Sequence, residues 1–253
     1  MTPSFWNNKR VLITGHTGFK GSWLSIWLKK LGAEVIGFSN SVPTNPSLYE
    51  LSGINSDIVS VTGDIRDLQT VQNTFLQYKP QIVIHMAAQS LVGPSYDDPV
   101  ETYSTNVMGT VNLFEAIRKS NDTSVIINVT SDKCYENKET LNGYVETDKI
   151  GGYDPYSNSK ACSELVTSSF RNSFFKDHPN DKNLASVRAG NIIGGGDWSD
   201  NRLVPDIMKS LQQELSLKIR NPDGIRPWQH VLDPLNGYLT LAEHLWDNGS
   251  KFS

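Results

Sequence analysis

Residues 125–135 read VIINVTSDKCY. An apolar run ends in Thr130, Ser131, Asp132 and Lys133, so a hydroxyl, a carboxylate and an amine stand side by side. Further on, Tyr156 and Lys160 lie four residues apart and share one face of any helix that carries them. A phenol titrates near about 10, and a neighbouring ammonium favours its phenolate. Tyr156 can then accept the proton of a substrate alcohol while Ser131 hydrogen-bonds the same oxygen. That step leaves Asp132 and Lys133 unused. An adjacent base and acid suit an elimination, in which Lys133 takes a proton from carbon and Asp132 protonates a departing hydroxyl. Lys133 must be neutral and Asp132 protonated for this, which takes burial or a nearby charge. As a plain ion pair, the same two side chains would only position a substrate.

The chain that must hold these groups alternates short apolar runs with helical patterns. Strands are expected at Val11–Thr14, Glu34–Phe38, Ile58–Thr62, Ile82–Met86, Val125–Val129 and Leu184–Arg188. Helices are expected from Gly18 to Leu31, with Phe19, Trp23, Trp27 and Leu31 facing the core, and from Asp67 to Gln77, with Asp67 as cap. Two more run from Pro99 to Lys119, with Val107, Val111 and Phe114 inward, and from Tyr156 to about Phe174. Regular alternation of this kind implies right-handed crossovers and a doubly wound, Rossmann-like parallel sheet of the α/β class. After residue 190 the texture changes. NIIGGGDWSDNR reads as a loop, followed by a helix over Leu203–Gln213, a short strand over Leu217–Arg220, a loop NPDGIRPWQ and a helix over Pro234–Leu245. Residues 1–190 are expected to form the dinucleotide-binding domain. Residues 191–253 then form a smaller mixed α/β substrate lobe, with the helix of 231–247 returning to the first domain.

Composition sets bounds on this. The 253 residues are 38% hydrophobic and 20% charged, with a net charge of −4 and no long run of either sign. Broad attraction to nucleic acid or to a membrane surface is not expected. No segment has the roughly 20 apolar residues of a membrane span, and MTPSFWNNKR holds no apolar signal core. The two cysteines, Cys134 and Cys162, lack metal-ligand spacing. They read as reduced thiols of a cytoplasmic protein, and no metal site is expected.

The first strand runs into Gly15-His16-Thr17-Gly18-Phe19-Lys20-Gly21 and then a helix, the context in which a glycine triplet binds a dinucleotide. Gly15 permits a tight turn, Gly18 lets backbone approach a pyrophosphate at the helix N-terminus, and Gly21 allows close packing. The G-x-x-G-x-x-G spacing resembles the short-chain dehydrogenase/reductases. So do Gly63-Asp64-Ile65 after the third strand, His85-Met86-Ala87-Ala88 after the fourth, and Asn106-Val107-Met108-Gly109-Thr110, which is similar to the N-V-x-G-T of the extended branch. Tyr156-Ser157-Asn158-Ser159-Lys160 matches its Y-x-x-x-K. The resemblance places the dinucleotide against Gly15, Thr17, Gly18, Phe19, Gly21, Ser39, Asp64, Ile65, Ala87, Ala88, Asn106, Tyr156 and Lys160. The second strand ends in Ser39-Asn40, neither acid nor base, and the absence of an Arg there favours NAD over NADP.

Asp132 and Lys133 acquire a purpose if the oxidised carbon is C4 of a hexose. A C4 ketone acidifies the C5 hydrogen, Lys133 removes it, and Asp132 helps expel the C6 hydroxyl as water. This resembles the nucleotide-sugar 4,6-dehydratases. Members acting on dTDP-glucose carry Thr-Asp-Glu at this place, whereas Ser131-Asp132-Lys133 is similar to those acting on CDP-glucose. GHTGFKGSWL at 15–24, AAQSLV at 87–92, RAGNIIGGGDW at 188–198 and RPWQHVLDPLNGYL at 226–239 carry the same resemblance. It implies NAD as cofactor, CDP-glucose as substrate, a place in deoxysugar and O-antigen synthesis, and a homodimer or homotetramer. It also implies a C-terminal part of the fold beyond Ser253. Gln89 and Asn191 are candidates for the sugar and diphosphate, and Arg202, Arg220 and Arg226 for neutralising the diphosphate. A 4-epimerase would need Ser131, Tyr156 and Lys160 but not Asp132 and Lys133. A non-catalytic dinucleotide sensor need not keep Tyr156 and Lys160.

Overall fold

The computed structural model describes residues 1–140, 142–176, 182–217, 219 and 221–249. In chain order its elements are β1 (Arg10–Thr14), α1 (Phe19–Lys30), β2 (Glu34–Ser39), α2 (Leu48–Leu51), β3 (Val59–Thr62), α3 (Leu68–Tyr78), β4 (Ile82–His85), α4 (Val92–Asp97), α5 (Pro99–Tyr103), α6 (Gly109–Lys119), β5 (Val125–Val129), α7 (Pro155–Phe170), β6 (Asn183–Val187), β7 (Asn191–Ile193), α8 (Leu203–Gln212), β8 (Trp228–His230) and α9 (Leu232–Asn248). A six-stranded sheet runs β3-β2-β1-β4-β5-β6, and every pairing in it is parallel. This order reverses direction between β1 and β4, and ligands of such sheets bind beyond the carboxyl ends at that point.

Alternation along each strand loads both faces. Val11, Ile13, Ile82, Ile84, Val125 and Ile127 pack with Leu24 and Leu28 of α1 and with Leu235, Leu239, Ala242 and Leu245 of α9. Leu12, Val83 and Ile126 point the other way, onto Val71 and Phe75 of α3 and onto Leu113, Phe114 and Ile117 of α6. Strands buried on both faces read as unbroken apolar runs, which is why they stand out in the sequence. The final helix thus lies on the sheet, beside α1.

Some expectations are corrected. On α1 the fully buried side chains are Leu24 and Leu28 with the small Ser22 and Ser25, and Gly21 is buried one turn before them. Phe19, Trp23, Trp27 and Leu31 flank that seam half-buried, because the helix lies so close to the sheet that small residues take its centre. Val107 lines an outer groove instead of the core. The Pro99–Lys119 run is helical throughout but contains a π turn at Ser104–Met108 between α5 and α6. NIIGGG and NPDGIRPWQ, expected as loops, supply β7 and β8, which pair in parallel. No strand forms at Leu217 or Ile219; Lys218 and Arg220, the rest of that expected strand, lie outside the described residues.

Candidate active site

The site begins where β1 ends. Gly15 takes φ +77°, and a Cβ there would stand 2.9 Å from the Ala87 nitrogen, so the turn is closed to side chains. A Cβ on Gly21 would lie 2.1 Å from the Gly15 carbonyl, so this glycine lets α1 seat on the turn. At Gly18 the nearest obstacle is 3.4 Å away, which leaves the α1 N-terminus open to a ligand. The first N–H groups of the helix point there without intrahelical partners. Three cations, Lys20, Lys160 and Arg202, gather at this end. Burial and the charges of Lys160 and Arg202 lower the Lys20 pKa to about 7. Burial lowers that of Lys160 to about 8, with Glu164 opposing. Crowded cations beside a free helix N-terminus fit a dinucleotide's diphosphate.

The polar ends of the strands organise the turn around them. Thr14 Oγ1 meets His85 Nδ1 at 2.6 Å and accepts from the Met86 and Ala87 amides, each at 3.1 Å. Burial and Lys160 drop the His85 pKa to about 3, so it is a neutral structural histidine. His16 is likewise held neutral, at about 4, by burial. It bridges Ser39 Oγ at 3.0 Å and Ser60 Oγ at 2.8 Å. The hydroxyl of Ser39 is therefore already partnered, and Thr17 donates to the Ser41 carbonyl at 2.6 Å. The Asp64 carboxylate is taken by Arg66, whose Nη2 lies 2.5 Å from Oδ2 and whose other arm reaches Glu101. Ile65 is buried beneath Gly109. Ala87 and Ala88 are half-buried at the crevice.

Asn106 sits in the π turn, a distortion that recurs at functional sites. Its amide accepts from the Gln89 N–H at 2.9 Å and donates to the Gln89 carbonyl at 2.9 Å and to Ser159 at 2.8 Å. It clamps the loop after β4 to the catalytic helix. The Gln89 side chain is turned back on Leu91 and Thr102.

At the end of β5, Ser131 caps a single 3-10 turn, Asp132–Cys134, accepting from the Lys133 amide at 3.2 Å and donating to Asp132 Oδ1 at 3.0 Å. Helix α7 starts at Pro155 behind Asp154, whose carboxylate takes the Ser157 amide at 2.9 Å. That start places Tyr156 in the first turn, buried, with its hydroxyl near Ser131. Burial raises the Tyr156 pKa, while Ser131 and the nearby Arg202 oppose the rise. Lys160, expected beside the phenol, donates to the Val129 carbonyl at 3.2 Å. In the free chain Tyr156 is therefore a neutral phenol.

The Lys133 ammonium stands 4.0 Å from Asp132 Oδ1, and the two side chains are 37% and 32% exposed. Both side chains are thus within reach of a substrate in the crevice. Arg202 leads into α8, pairs with Asp197 at 3.0 Å and reaches across to Ser90 at 3.5 Å. Asn191 lies in β7, its amide bonded to the Pro227 carbonyl at 2.9 Å. Arg226 is exposed and folds onto the Ile225 carbonyl at 2.7 Å. Arg220 lies outside the described residues. Ser131, Asp132, Lys133, Tyr156, Lys160, Arg202 and the glycine turn thus meet at one sheet edge, whereas Arg226 bonds within its own loop.

The sequence reading passed over Lys20, Glu164 and Arg188. Lys20 was visible as the one charge inside the glycine motif, and Glu164 as the next position after Tyr156 and Lys160 on the same helical stripe. Nothing local marked Arg188. Among the described residues no cluster of His, Cys, Asp and Glu could hold a metal, and no helix is long and apolar enough to cross a membrane.

A Rossmann sheet that brings Ser, Tyr and Lys together at its carboxyl edge is the arrangement of the extended short-chain dehydrogenase/reductases. Residues 12–247 match the family model described as GDP-mannose 4,6 dehydratase, and the chain belongs to that family of nucleotide-sugar dehydratases, which are hydro-lyases. It is 55% identical to the CDP-glucose 4,6-dehydratase of Salmonella typhimurium over 99% of its own length and 70% of the relative's. Its fold is similar to that of dTDP-glucose 4,6-dehydratase from Streptomyces venezuelae, with a TM-score of 0.81 at 23% identity, covering 95% of this chain and 73% of that one. It is also similar to UDP-glucose 4-epimerase from Thermus thermophilus, solved in complex with NAD, with a TM-score of 0.78 at 25% identity, covering 92% of this chain and 74% of that one.

Proposed function

We propose that the chain converts CDP-glucose to CDP-4-keto-6-deoxyglucose and water with bound NAD, in the synthesis of deoxysugars such as those of O-antigens. The observation that carries this is the Asp132–Lys133 pair, held at the crevice one residue beyond Ser131 and facing the Tyr156 helix. When bound, the dinucleotide accepts hydride from C4 of the sugar and returns it to C6. Gly15, Gly18 and Gly21 make room for it, and Lys20, Lys160 and Arg202 supply positive charge for the diphosphates of cofactor and sugar. Tyr156 takes the proton of the C4 hydroxyl, with Ser131 holding that oxygen. Lys133 removes the C5 proton once C4 is a ketone. Asp132 delivers a proton to the C6 hydroxyl as it leaves. The sugar itself buries Lys133, which favours the neutral amine the step requires. A C4 epimerase on the same frame has no task for Asp132 and Lys133, although the epimerase likeness shows that the fold alone does not choose between them.

The choice of CDP rests on the 55% identity. A screen of CDP-, dTDP-, GDP- and UDP-sugars tests it. The expected result is a 4-keto-6-deoxy product from CDP-glucose with NAD in catalytic amount. No turnover of any of them would favour a dinucleotide sensor.

The working assembly in this reading is a homodimer in the cytoplasm. The surface of α5, the π turn and α7 supports it. Pro99, Val100, Tyr103, Val107 and Met108 line an apolar groove there. Val100 is 76% exposed and Leu165, on the same side of α7, is 61% exposed. Met108→Arg should shift the sedimenting species to monomer; an unchanged species would remove this face from the assembly.

A further inference from the structure

Behind the candidate active site lies a buried ion pair that the mechanism leaves unused. Glu164 follows Tyr156 and Lys160 at four-residue intervals on α7, so the three share one stripe of the helix. Its carboxylate is almost fully buried and is gripped from all sides. Arg188 donates through Nε to Oε1 at 2.9 Å and through Nη2 to Oε2 at 3.0 Å, a two-pronged fork. Ser186 donates at 2.7 Å, and Thr130, the residue before Ser131, donates as well.

Arg188 holds the acid/base turn from the other side. Its guanidinium lies over the Tyr135 ring at 4.7 Å, and Nη1 reaches the Glu146 carbonyl at 3.3 Å. Its two neighbours bind the same turn by backbone. The Thr130 amide donates to Val187 at 2.9 Å, and the Asp132 amide donates to Ala189 at 3.2 Å. The segment from Thr130 to Tyr135 is thus fastened along its length to residues 187–189, and this fastening is tied through Glu164 to the helix that carries Tyr156 and Lys160.

A buried pair is expensive to desolvate, and apolar residues of similar volume would pack at least as well. The charge is therefore explained by what surrounds Lys160. From β4 it faces His85, which burial keeps neutral. From the 3-10 turn it faces the Cys134 thiol, which burial pushes up to about 12. From α1 it faces the cation Lys20, from β5 the Val129 carbonyl, and on its own helix the phenol of Tyr156. Among these described groups, Glu164 is the one carrying negative charge at neutral pH.

We propose that the Glu164–Arg188 pair is a positioning element of the reaction: it sets the Ser131–Lys133 turn against the catalytic helix, and its carboxylate stands one helical turn from Lys160 as a counter-charge. This rests on the roles given above to Tyr156 and Lys160. It acts through those residues and touches no substrate.

The test is read on dinucleotide binding, so that it stands apart from the sugar assignment. NAD affinity of the whole chain is titrated against pH in the wild type, in Glu164→Gln and in Glu164→Asp. Loss of the carboxylate should lower the pH at which affinity falls by about one unit, because Lys160 discharges earlier; Glu164→Asp should restore part of it. With CDP-glucose, Glu164→Gln should lower kcat at least tenfold with little change in KM. If the single variant does not fold, Glu164→Gln with Arg188→Gln removes both charges together and keeps hydrogen-bonding groups; the tenfold fall in kcat is expected there too, and a folded double variant with wild-type kcat would overturn the proposal. A folded Glu164→Gln chain whose affinity follows the wild-type pH profile would overturn it as well. So would a kcat loss that merely tracks a fall in melting temperature. No turnover of CDP-glucose by the wild type would strike at the function alone, leaving the binding profile to decide on Glu164.

Discussion

Tyr156 carries the sharpest assignment at the scale of single residues. Tyr156→Phe removes the proton acceptor for the C4 hydroxyl and should cut turnover on the order of a hundredfold or more. NAD affinity should stay near normal, since the phenol lies near Ser131 rather than at the glycine turn. Near-normal turnover would take Tyr156 out of the mechanism. Lys133→Met separates the steps. C4 oxidation should survive, while exchange of the C5 hydrogen with heavy water should vanish; normal exchange would point to another base. The lysines of the crevice make a pH prediction. Their folded pKa values, about 7 for Lys20 and about 8 for Lys160, lie below that of a free lysine. An anionic diphosphate favours their charged forms, so binding should take up protons and weaken as pH rises from 7 toward 9. Calorimetry in buffers of different ionisation heat measures this uptake, and none at pH 8 would contradict the cluster. The triplet Ser131-Asp132-Lys133 was legible because charge at the end of a buried strand is conspicuous. The protonation of its neighbours was not legible. That depends on burial and on Lys160 turning to the Val129 carbonyl, both of which arise only when distant segments meet.

Helix α7 shows at the element scale how local sequence places chemistry. Asp154 and Pro155 fix its first turn, and one step later comes Tyr156. Asp154→Ala removes the bonds to Ser157 and should destabilise the fold by about 1 kcal/mol, with a larger relative loss in kcat than in stability because the first turn holds the phenol. A melting curve and a rate measurement on the same preparation check this, and an unchanged kcat would detach the cap from catalysis. The sheet strands were readable since two-sided burial demands unbroken apolar runs. β7 and β8 escaped for the opposite reason. Each has three residues, in Gly- and Pro-containing surroundings, and they form only by pairing across 36 intervening positions of sequence, between Asn191 and Trp228 in register as much as between Ile193 and His230. The π turn at Ser104–Met108 was equally hidden, since the side-chain period on either side stays helical.

Across the whole molecule, the strand order β3-β2-β1-β4-β5-β6 brings the glycine turn, the loop after β4 and the acid/base turn after β5 to one edge. Helix α9 returns to cover the sheet, where Glu243 accepts from the Trp6 indole at 2.8 Å and joins the two ends of the described fold. The alternation of strands and helices foretold this frame, but the frame serves epimerases as well as dehydratases. What decides the reaction is the fate of the hydrogen taken from C4. The direct measurement uses CDP-glucose carrying deuterium at C4, with NAD in catalytic amount. An elimination driven by Asp132 and Lys133 makes C6 the acceptor, so the label should appear at C6 of a 4-keto-6-deoxyglucose product, with solvent hydrogen at C5 and little crossover between labelled and unlabelled sugar. Deuterium retained at C4, or reduced dinucleotide released in proportion to product, would contradict the account.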